Sequence, residues 1–212
     1  MPYKYLKHIK STLCLNGDLP KKDFFEQNKI IIATDGAADQ LLKMNITPAV
    51  IIGDLDSVAH SAYPNSEILH IPDQDLSDFQ KAMLYLKQKQ LLPTIVCGVG
   101  GGFIDHILHN ISVISENDCV FYAPPLIGHI LSAPDTIQLQ PAHNSKISLI
   151  AMGNARVNSF GLKWELTDAR LEFPGSNSCF NRTVTKNVTI EMIEGKLLVL
   201  LYCEHIDDMG AL

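Results

Sequence analysis

The 212-residue chain has no apolar run near the ~20 residues that a membrane-spanning helix needs. Its longest, around Leu197–Cys203, has the length of a strand. Five cysteines (Cys14, Cys97, Cys119, Cys179, Cys203) stand far apart, with no C-x-x-C pair. That spacing excludes a disulfide framework and a zinc ribbon, and it points to reduced thiols in the cytoplasm. The first residues, MPYKYLKHIK, break their apolar positions with Lys4, Lys7, His8 and Lys10, unlike a secretory leader. An excess of basic residues is missing too: 17 Lys and Arg face 23 Asp and Glu, for a net charge of −6. A protein that coats nucleic acid needs the opposite balance. Neither G-x-G-x-x-G nor G-x-x-x-x-G-K-[ST] occurs, so the usual signatures of dinucleotide and P-loop nucleotide binding are absent. Repeats and low-complexity tracts are also lacking.

What is present is a core-forming chain, 46% apolar and 19% charged, long enough for one large domain or two small ones. Its acid is concentrated. Between Thr34 and Asp78 stand seven Asp, one Glu and one Lys, a balance of −7, which leaves the remainder near +1. Up to about Tyr122, short apolar runs alternate with helical patterns. Strands are expected at 12–16, 29–34, 49–53, 67–71, 94–99 and 118–122. Helices are expected at 20–28, 37–44, 76–88 and 104–116, the third on the spacing of Phe79, Met83 and Leu86. Such alternation implies a parallel sheet with ligands beyond its carboxyl edge. After Ala123-Pro124-Pro125 the helical patterns stop. Strands are expected at 127–131, 136–139, 146–151, 170–173, 184–193 and 196–203, with a hairpin turn at Glu194-Gly195. The expected architecture is therefore α/β: a Rossmann-like parallel-sheet domain over residues 1–123 and an antiparallel β-sandwich over 126–212.

Four segments of the first half could carry chemistry. Asp35 and Gly36 follow a strand and precede a helix, where Asp35 serves either as a helix N-cap or as a ligand-facing acid. In Gly53-Asp54-Leu55-Asp56-Ser57, an extended backbone points Asp54 and Asp56 the same way. Two like charges that close favour a cation between them, and Mg²⁺ suits carboxylates plus phosphate oxygens. In Pro72–Asp78, Asp75 and Asp78 have the spacing of an N-cap and its third helical residue, which leaves Asp73 and Gln74 unexplained. Gly98-Val99-Gly100-Gly101-Gly102 leads into a helix that begins with Asp105 and His106 and carries Asn110 one turn on. Glycines there let backbone N–H groups approach an anion. In the second half, the single Trp164 is either a core residue or a platform for a cationic heteroaromatic, and Ser176-Asn177-Ser178 follows it.

In this order the segments resemble thiamin pyrophosphokinases, a family that transfers the pyrophosphoryl group of ATP to thiamin. The resemblance spans nearly the whole chain: LNG at 15–17, DGAAD at 35–39, GDLDS at 53–57, PDQDLSDF at 72–79, the glycine turn into Asp105-His106, GLKW at 161–164 and SNS at 176–178. It implies an ATP-binding α/β domain, a thiamin-binding β-sandwich, and a homodimer whose thiamin site is shared between subunits. By matching position, Asp54, Asp56 and Asp78 would hold Mg²⁺ with Asp35 nearby. On chemistry alone, Asp75 or Asp78 could accept the hydroxyl proton, but an acid that holds metal is a poor base, so the base stays unassigned. Gly36, Gly100, Gly101, Gly102, Asp105, His106 and Asn110 would border ATP. Gln74, Trp164, Ser176 and Asn177 would meet thiamin. Two departures stand out: Phe103 where the family usually has Arg, and Asp39 where it often has Asn. The competing readings are a pyrophosphokinase for another heteroaromatic alcohol such as a hydroxymethylpterin, a non-catalytic thiamin or nucleotide binder, and a metal-dependent phosphate-ester hydrolase.

Overall fold

The computed structural model describes residues 8–26, 30–55 and 62–203. The chain divides into two compact units, one spanning His8–Ala123 and one beginning at Pro124.

In the first unit, six strands alternate with four helices: β1 (Ser11–Cys14), α1 (Lys22–Glu26), β2 (Ile31–Thr34), α2 (Asp35–Lys43), β3 (Val50–Gly53), β4 (Glu67–His70), α3 (Asp78–Gln88), β5 (Thr94–Cys97), α4 (Ile104–Ile114) and β6 (Cys119–Ala123). All pairings are parallel, in the order β4-β3-β2-β1-β5-β6. Near-continuous apolar runs make this sheet, because parallel strands are covered on both faces. Every residue of β1, β2, β3 and β5 is buried, whereas β4 is half exposed. The chain steps outward from β1 through β4 and then returns to β5 on the other side of β1. The β1–β5 junction is therefore the switch point at which an open parallel sheet leaves a crevice.

Helix starts differ from expectation by one or two residues, and the difference matters. α2 begins at Asp35 rather than Ala37, with extended Thr34 as its N-cap. α3 begins at Asp78, with Ser77 as N-cap. The capping spacing read for Asp75 and Asp78 is thus wrong. Ser77 Oγ accepts from the Gln80 N–H, and Gln80 Oε1 accepts from the Ser77 N–H at 3.0 Å. A Ser–Gln box satisfies these donors without using an acid, so Asp75 and Asp78 are left out of the cap.

The second unit is entirely antiparallel: β7 (Leu126–Ser132), β8 (Thr136–Leu139), β9 (Lys146–Phe160), β10 (Ala169–Glu172), β11 (Ser178–Arg182) and β12 (Val188–Tyr202). The hairpin expected at Glu194-Gly195 does not form. Residues 188–202 make one 15-residue strand that runs beside the 15-residue β9. Gly195 sits at φ +77 where the β9 register shifts on either side of it, which is a bulge and not a turn. The bulge also resets the alternation. Val188, Ile190 and Met192 face inward before it, and Leu197, Val199 and Leu201 after it. Each long strand thereby serves two sheets. The first part of β12 pairs with β8 and the last part with β7, while β9 pairs with β11 early and β10 late. Strands that change sheets at bulges form the corners of a sandwich. β11 has no counterpart among the expected strands.

The two glycines of this corner should differ on substitution. Both lie in the left-handed region, which costs any other residue ~1–2 kcal/mol. Gly153 (φ +85) faces open space, but a Cβ on Gly195 would lie 2.0 Å from the Asn154 carbonyl oxygen. Gly153→Ala should therefore lose about 1 kcal/mol in urea unfolding, and Gly195→Ala at least about 2 kcal/mol more. Equal losses would contradict the bulge.

Candidate active site

The motif residues of the first unit collect at the carboxyl edge of the sheet because each follows a strand there. The loop after β1 and the loop after β5 are pressed together backbone to backbone. Leu15 N–H donates to the Cys97 carbonyl and Asp18 N–H to the Gly100 carbonyl, both at 2.9 Å. A Cβ on Gly17 would lie 2.1 Å from the Gly100 oxygen, and one on Gly98 would lie 2.2 Å from the Leu15 oxygen. Only glycines allow this approach. Beside it opens a cavity of about 370 Å³, whose lining includes Gly100, Gly102, Asp78, His106, His109 and Asn110. Gly100 has nothing within 4 Å of a virtual Cβ, and Gly102 only His106 Cβ at 3.9 Å, so both glycines border open space. Asn110 Nδ2 donates to the Val99 carbonyl at 3.2 Å and braces the turn.

The acids crowd around Gly53. A Cβ there would lie 2.9 Å from Asp35 Cβ and 3.4 Å from Asp78 Oδ2. Asp35 is 4% exposed. Asp54, the next residue, accepts from Gln74 Nε2 at 3.4 Å, which ties the PDQD loop to the GDLD loop. Asp73 Oδ1 accepts from the Asp75 N–H at 2.8 Å, so Asp73 shapes the loop. Asp75 is exposed. Asp56 lies outside the described residues. Among those described, no cluster of three or more His, Cys, Asp or Glu has the arrangement of a metal site.

Other predicted residues are placed less centrally. Gly36 packs on the Asn16 amide, and Gly101 packs on the Asp18 carboxylate. Asp105 is exposed, and its Oδ1 accepts from the His106 N–H at 2.9 Å. Phe103 is 81% exposed, so it neither fills the cavity nor replaces a cation. Asp39 accepts a hydrogen bond from the buried Tyr63 hydroxyl. Burial, then Asp39 and Asp35, push that phenol well above its ordinary pKa.

Sequence reasoning missed one residue that lines the crevice, His109, and one that pairs with its Asp78, Lys81. Lys81, only 3% exposed, donates from Nζ to Asp78 Oδ1 at 3.0 Å. His109 Nε2 lies 3.0 Å from Ser77 Oγ. Lys81 stands three residues after Asp78, a spacing that brings side chains together on a helix and that could have revealed the pair.

In the second unit Trp164 is 55% exposed, which overturns the core reading that composition favours. Its backbone is clamped: Asn181 Oδ1 accepts from the Trp164 N–H at 3.2 Å, and Asn181 Nδ2 donates to the Trp164 carbonyl at 2.7 Å. Glu165 accepts from the Gly161 and Leu162 N–H groups at 2.6 and 3.0 Å and from Ser159 Oγ at 2.6 Å. The indole thus stands on a fixed turn, with the Lys163 ammonium 4.8 Å from its ring centroid. Asn177 uses its amide internally. It accepts from the Ala151 N–H at 2.7 Å and donates to the Glu172 carbonyl at 2.9 Å. The Ser176 carbonyl accepts from the Glu172 N–H at 2.9 Å in the same turn.

Comparison with known proteins gives this arrangement a family. The model of the thiamin pyrophosphokinase catalytic domain matches residues 21–121, and that of the thiamin pyrophosphokinase vitamin B1 binding domain matches residues 135–197. The chain belongs to the thiamin pyrophosphokinase family. Thiamin pyrophosphokinase 1 of Caenorhabditis elegans is 25% identical over 90% of this chain and 89% of its own length. Thiamine pyrophosphokinase 1 of Arabidopsis thaliana is 27% identical over 87% of this chain and 75% of its own. In fold, the chain resembles the thiamine pyrophosphokinase of Bacillus subtilis at a TM-score of 0.80 and 18% identity, over 92% of this chain and all of that one. The Candida albicans thiamin pyrophosphokinase gives 0.79 at 18% identity, over 95% and 91%.

The two partners of the Lys81–Asp78 pair should contribute unequally to stability in this member of the thiamin pyrophosphokinase family. Asp78→Ala leaves a buried ammonium unpaired and should cost about 2 kcal/mol. That is below the usual range for breaking a buried pair, because Asp78 is 34% exposed. Lys81→Met replaces the ammonium with a matching apolar chain and should change stability by less than about 1 kcal/mol. Chemical denaturation of both variants checks the order, and a larger loss for Lys81→Met would contradict it.

Proposed function

We propose that the chain transfers the pyrophosphoryl group of ATP to the primary hydroxyl of thiamin, giving AMP and thiamin diphosphate. The observation that carries this reading is that both functional domains of the family match, each over the unit whose geometry suits its part. The first unit offers a glycine-lined crevice beside clustered carboxylates, and the second an exposed Trp on a fixed turn. The match of the vitamin B1 binding domain over residues 135–197 favours thiamin over a hydroxymethylpterin.

The thiamin hydroxyl oxygen attacks the β-phosphorus. A bond forms between them, the β-phosphorus bond to the α,β-bridging oxygen breaks, and that oxygen leaves on AMP. Chemistry of this kind is chiefly positioning and charge stabilisation. The N–H groups around Gly100–Gly102 and the start of α4 suit phosphate oxygens, since donors and the helix dipole both favour anions. The carboxylates around Gly53 fit a divalent cation, because two helix N-termini and the Lys81 ammonium offset only part of their mutual repulsion. Asp54, Asp56 and Asp78 would hold Mg²⁺, with Asp35 beside them. The ion would supply charge neutralisation across the phosphate oxygens. Gln74, already tied to Asp54, would orient thiamin, and the π-face of Trp164 suits its cationic ring. Asp75 is close in sequence and exposed, free to take the hydroxyl proton.

A homodimer with a shared thiamin site follows from the same family reading. Support comes from apolar side chains left in water, among them Ile104 (75% exposed), Leu108 (60%) and Trp164 (55%). A cytoplasmic location is proposed from the cysteines: all five are thiols outside any disulfide, and burial pushes the Cys14, Cys97 and Cys119 thiols up, the last to about 12. No described helix is long and apolar enough to cross a membrane.

Incubation with ATP, Mg²⁺ and thiamin should release AMP and thiamin diphosphate in equal amounts, resolved by anion-exchange chromatography. ADP as product, orthophosphate release without thiamin, or binding without turnover would each overturn the reading. Asp54→Asn should lower kcat at least about a hundredfold with unchanged unfolding temperature. Sharing of the site has its own readout. Asp54→Asn and Trp164→Ala proteins, each inactive alone, should regain up to about a quarter of wild-type activity when mixed and reassociated, because half the dimers then carry one intact site. No recovery despite subunit exchange would refute the shared site.

A further inference from the structure

The second unit contains a concavity of about 490 Å³ that the proposed reaction does not use. It lies where the start of β9, the end of β11 and the end of β12 meet the turn at 142–145. His143, Lys146 and Arg182 line it, and among the described residues no Asp or Glu does. In a chain of net charge −6 this local sign needs an explanation. The ion pairs among the described residues are Lys81–Asp78, Arg156–Asp168 and Arg156–Glu194, so within that set neither Lys146 nor Arg182 has a carboxylate partner.

The walls are fixed. Ser145 Oγ donates to the Ala142 carbonyl at 2.8 Å, and Thr183 Oγ1 donates to the same oxygen at 3.0 Å. Asn144 N–H donates to the Thr183 carbonyl and Thr183 N–H to the Ser145 carbonyl, each at 3.0 Å. Arg182 Nη1 donates to the Asn144 carbonyl at 3.0 Å, which holds one arm of the guanidinium and leaves the rest of its fork for a ligand. The Lys146 ammonium is held 5.4 Å above the Tyr202 ring centroid. Leu201 and Pro141 supply apolar lining. Preorganised cations without counter-charges bind an anion at low ordering cost. A guanidinium fork beside an ammonium matches phosphate geometry, and the volume lies within the range of small-molecule pockets.

We propose that this pocket binds a small phosphate- or diphosphate-bearing anion, at a site built wholly from the second unit. The site holds whether or not the chain turns over thiamin, so binding and turnover are measured separately.

Calorimetry on the full chain without divalent metal should show saturable binding of inorganic pyrophosphate, weakened about tenfold or more by Lys146→Gln/Arg182→Gln. Turnover at saturating ATP and thiamin should be unchanged in that variant. Arg182→Lys, which keeps the charge and loses the fork, should fall between the two, and it carries the test if the double variant is unstable. Glycerol 3-phosphate in a parallel titration separates the sources: binding of both identifies organic phosphates as ligands, and binding of pyrophosphate alone identifies the inorganic ion. No saturable binding of either up to about 10 mM, or an affinity that the substitutions leave unchanged, overturns the proposal.

Discussion

The first unit depends on a crowd of carboxylates around a residue that has no side chain. Asp35 leaves β2 and Asp78 opens α3, and both press on Gly53 at the end of β3, where a Cβ would lie 2.9 Å from Asp35 Cβ. Parallel strands force this meeting. Each strand ends at the same edge, so whatever the sequence places after a strand arrives beside the residues after its neighbours. Like charges gathered this closely raise one another's energy. The fold answers part of that cost with two helix N-termini, since α2 begins at Asp35 and α3 at Asp78 and each dipole favours an acid there. Lys81 answers another part by pairing with Asp78 Oδ1, which leaves Asp78 Oδ2 on the Gly53 side.

The second unit meets a different constraint. Two 15-residue strands cannot stay flat and still close a core on one side. Gly153 and Gly195, both at positive φ, accommodate the bend. The exposed Trp164 follows from how the end of β9 is finished. Glu165 gathers the Gly161 and Leu162 N–H groups, and the buried Asn181 holds the Trp164 backbone at both its N–H and its carbonyl. These bonds fix the turn that carries the indole, and the ring is 55% exposed on it.

These two constraints explain what could be read from the amino-acid order. The parallel strands were legible because they are buried on both faces and so appear as short apolar runs bounded by Asp and Gly. Asp35 and Asp54 were legible as acids at the sheet edge for the same reason, since each stands just after such a run. The β12 bulge was not legible as one. Glu194-Gly195 between two apolar stretches has the composition of a hairpin turn, and only the pairing of Gly195 with Ala155 on β9 distinguishes the two. The capping of α3 was misassigned because Asp, Ser and Gln all occur within six residues and several pairs have capping spacing. The short distance from Ser77 to Gln80 on both their atoms decides it. Residue type alone does not settle burial: Trp164 is 55% exposed and Lys81 only 3%, because tertiary packing decides both.

Phe103 bears on how an acidic crevice deals with a polyanion. A cation at that point of the glycine turn would meet phosphate directly, but Phe103 is 81% exposed and offers no charge. The stretch from Thr34 to Asp78 carries −7. Near it, the cationic side chain that the structure places against the acids is Lys81, and its ammonium is already paired with Asp78. On the proposed reaction, the remaining attraction for phosphate would come from the backbone N–H groups of the glycine turn, from the start of α4, and from His106 and His109 on the cavity wall. Those contacts are dipolar or titratable, and each is weaker than a guanidinium. On the proposed reaction, nucleotide binding in this chain therefore leans more on the divalent cation than it would with an Arg at position 103. Held by Asp54, Asp56 and Asp78, such an ion would relieve the repulsion around Gly53 and supply positive charge where the phosphates bind. The acid excess and the missing Arg are then two sides of one electrostatic arrangement, in which charge for the nucleotide is carried by the ion and not by the chain.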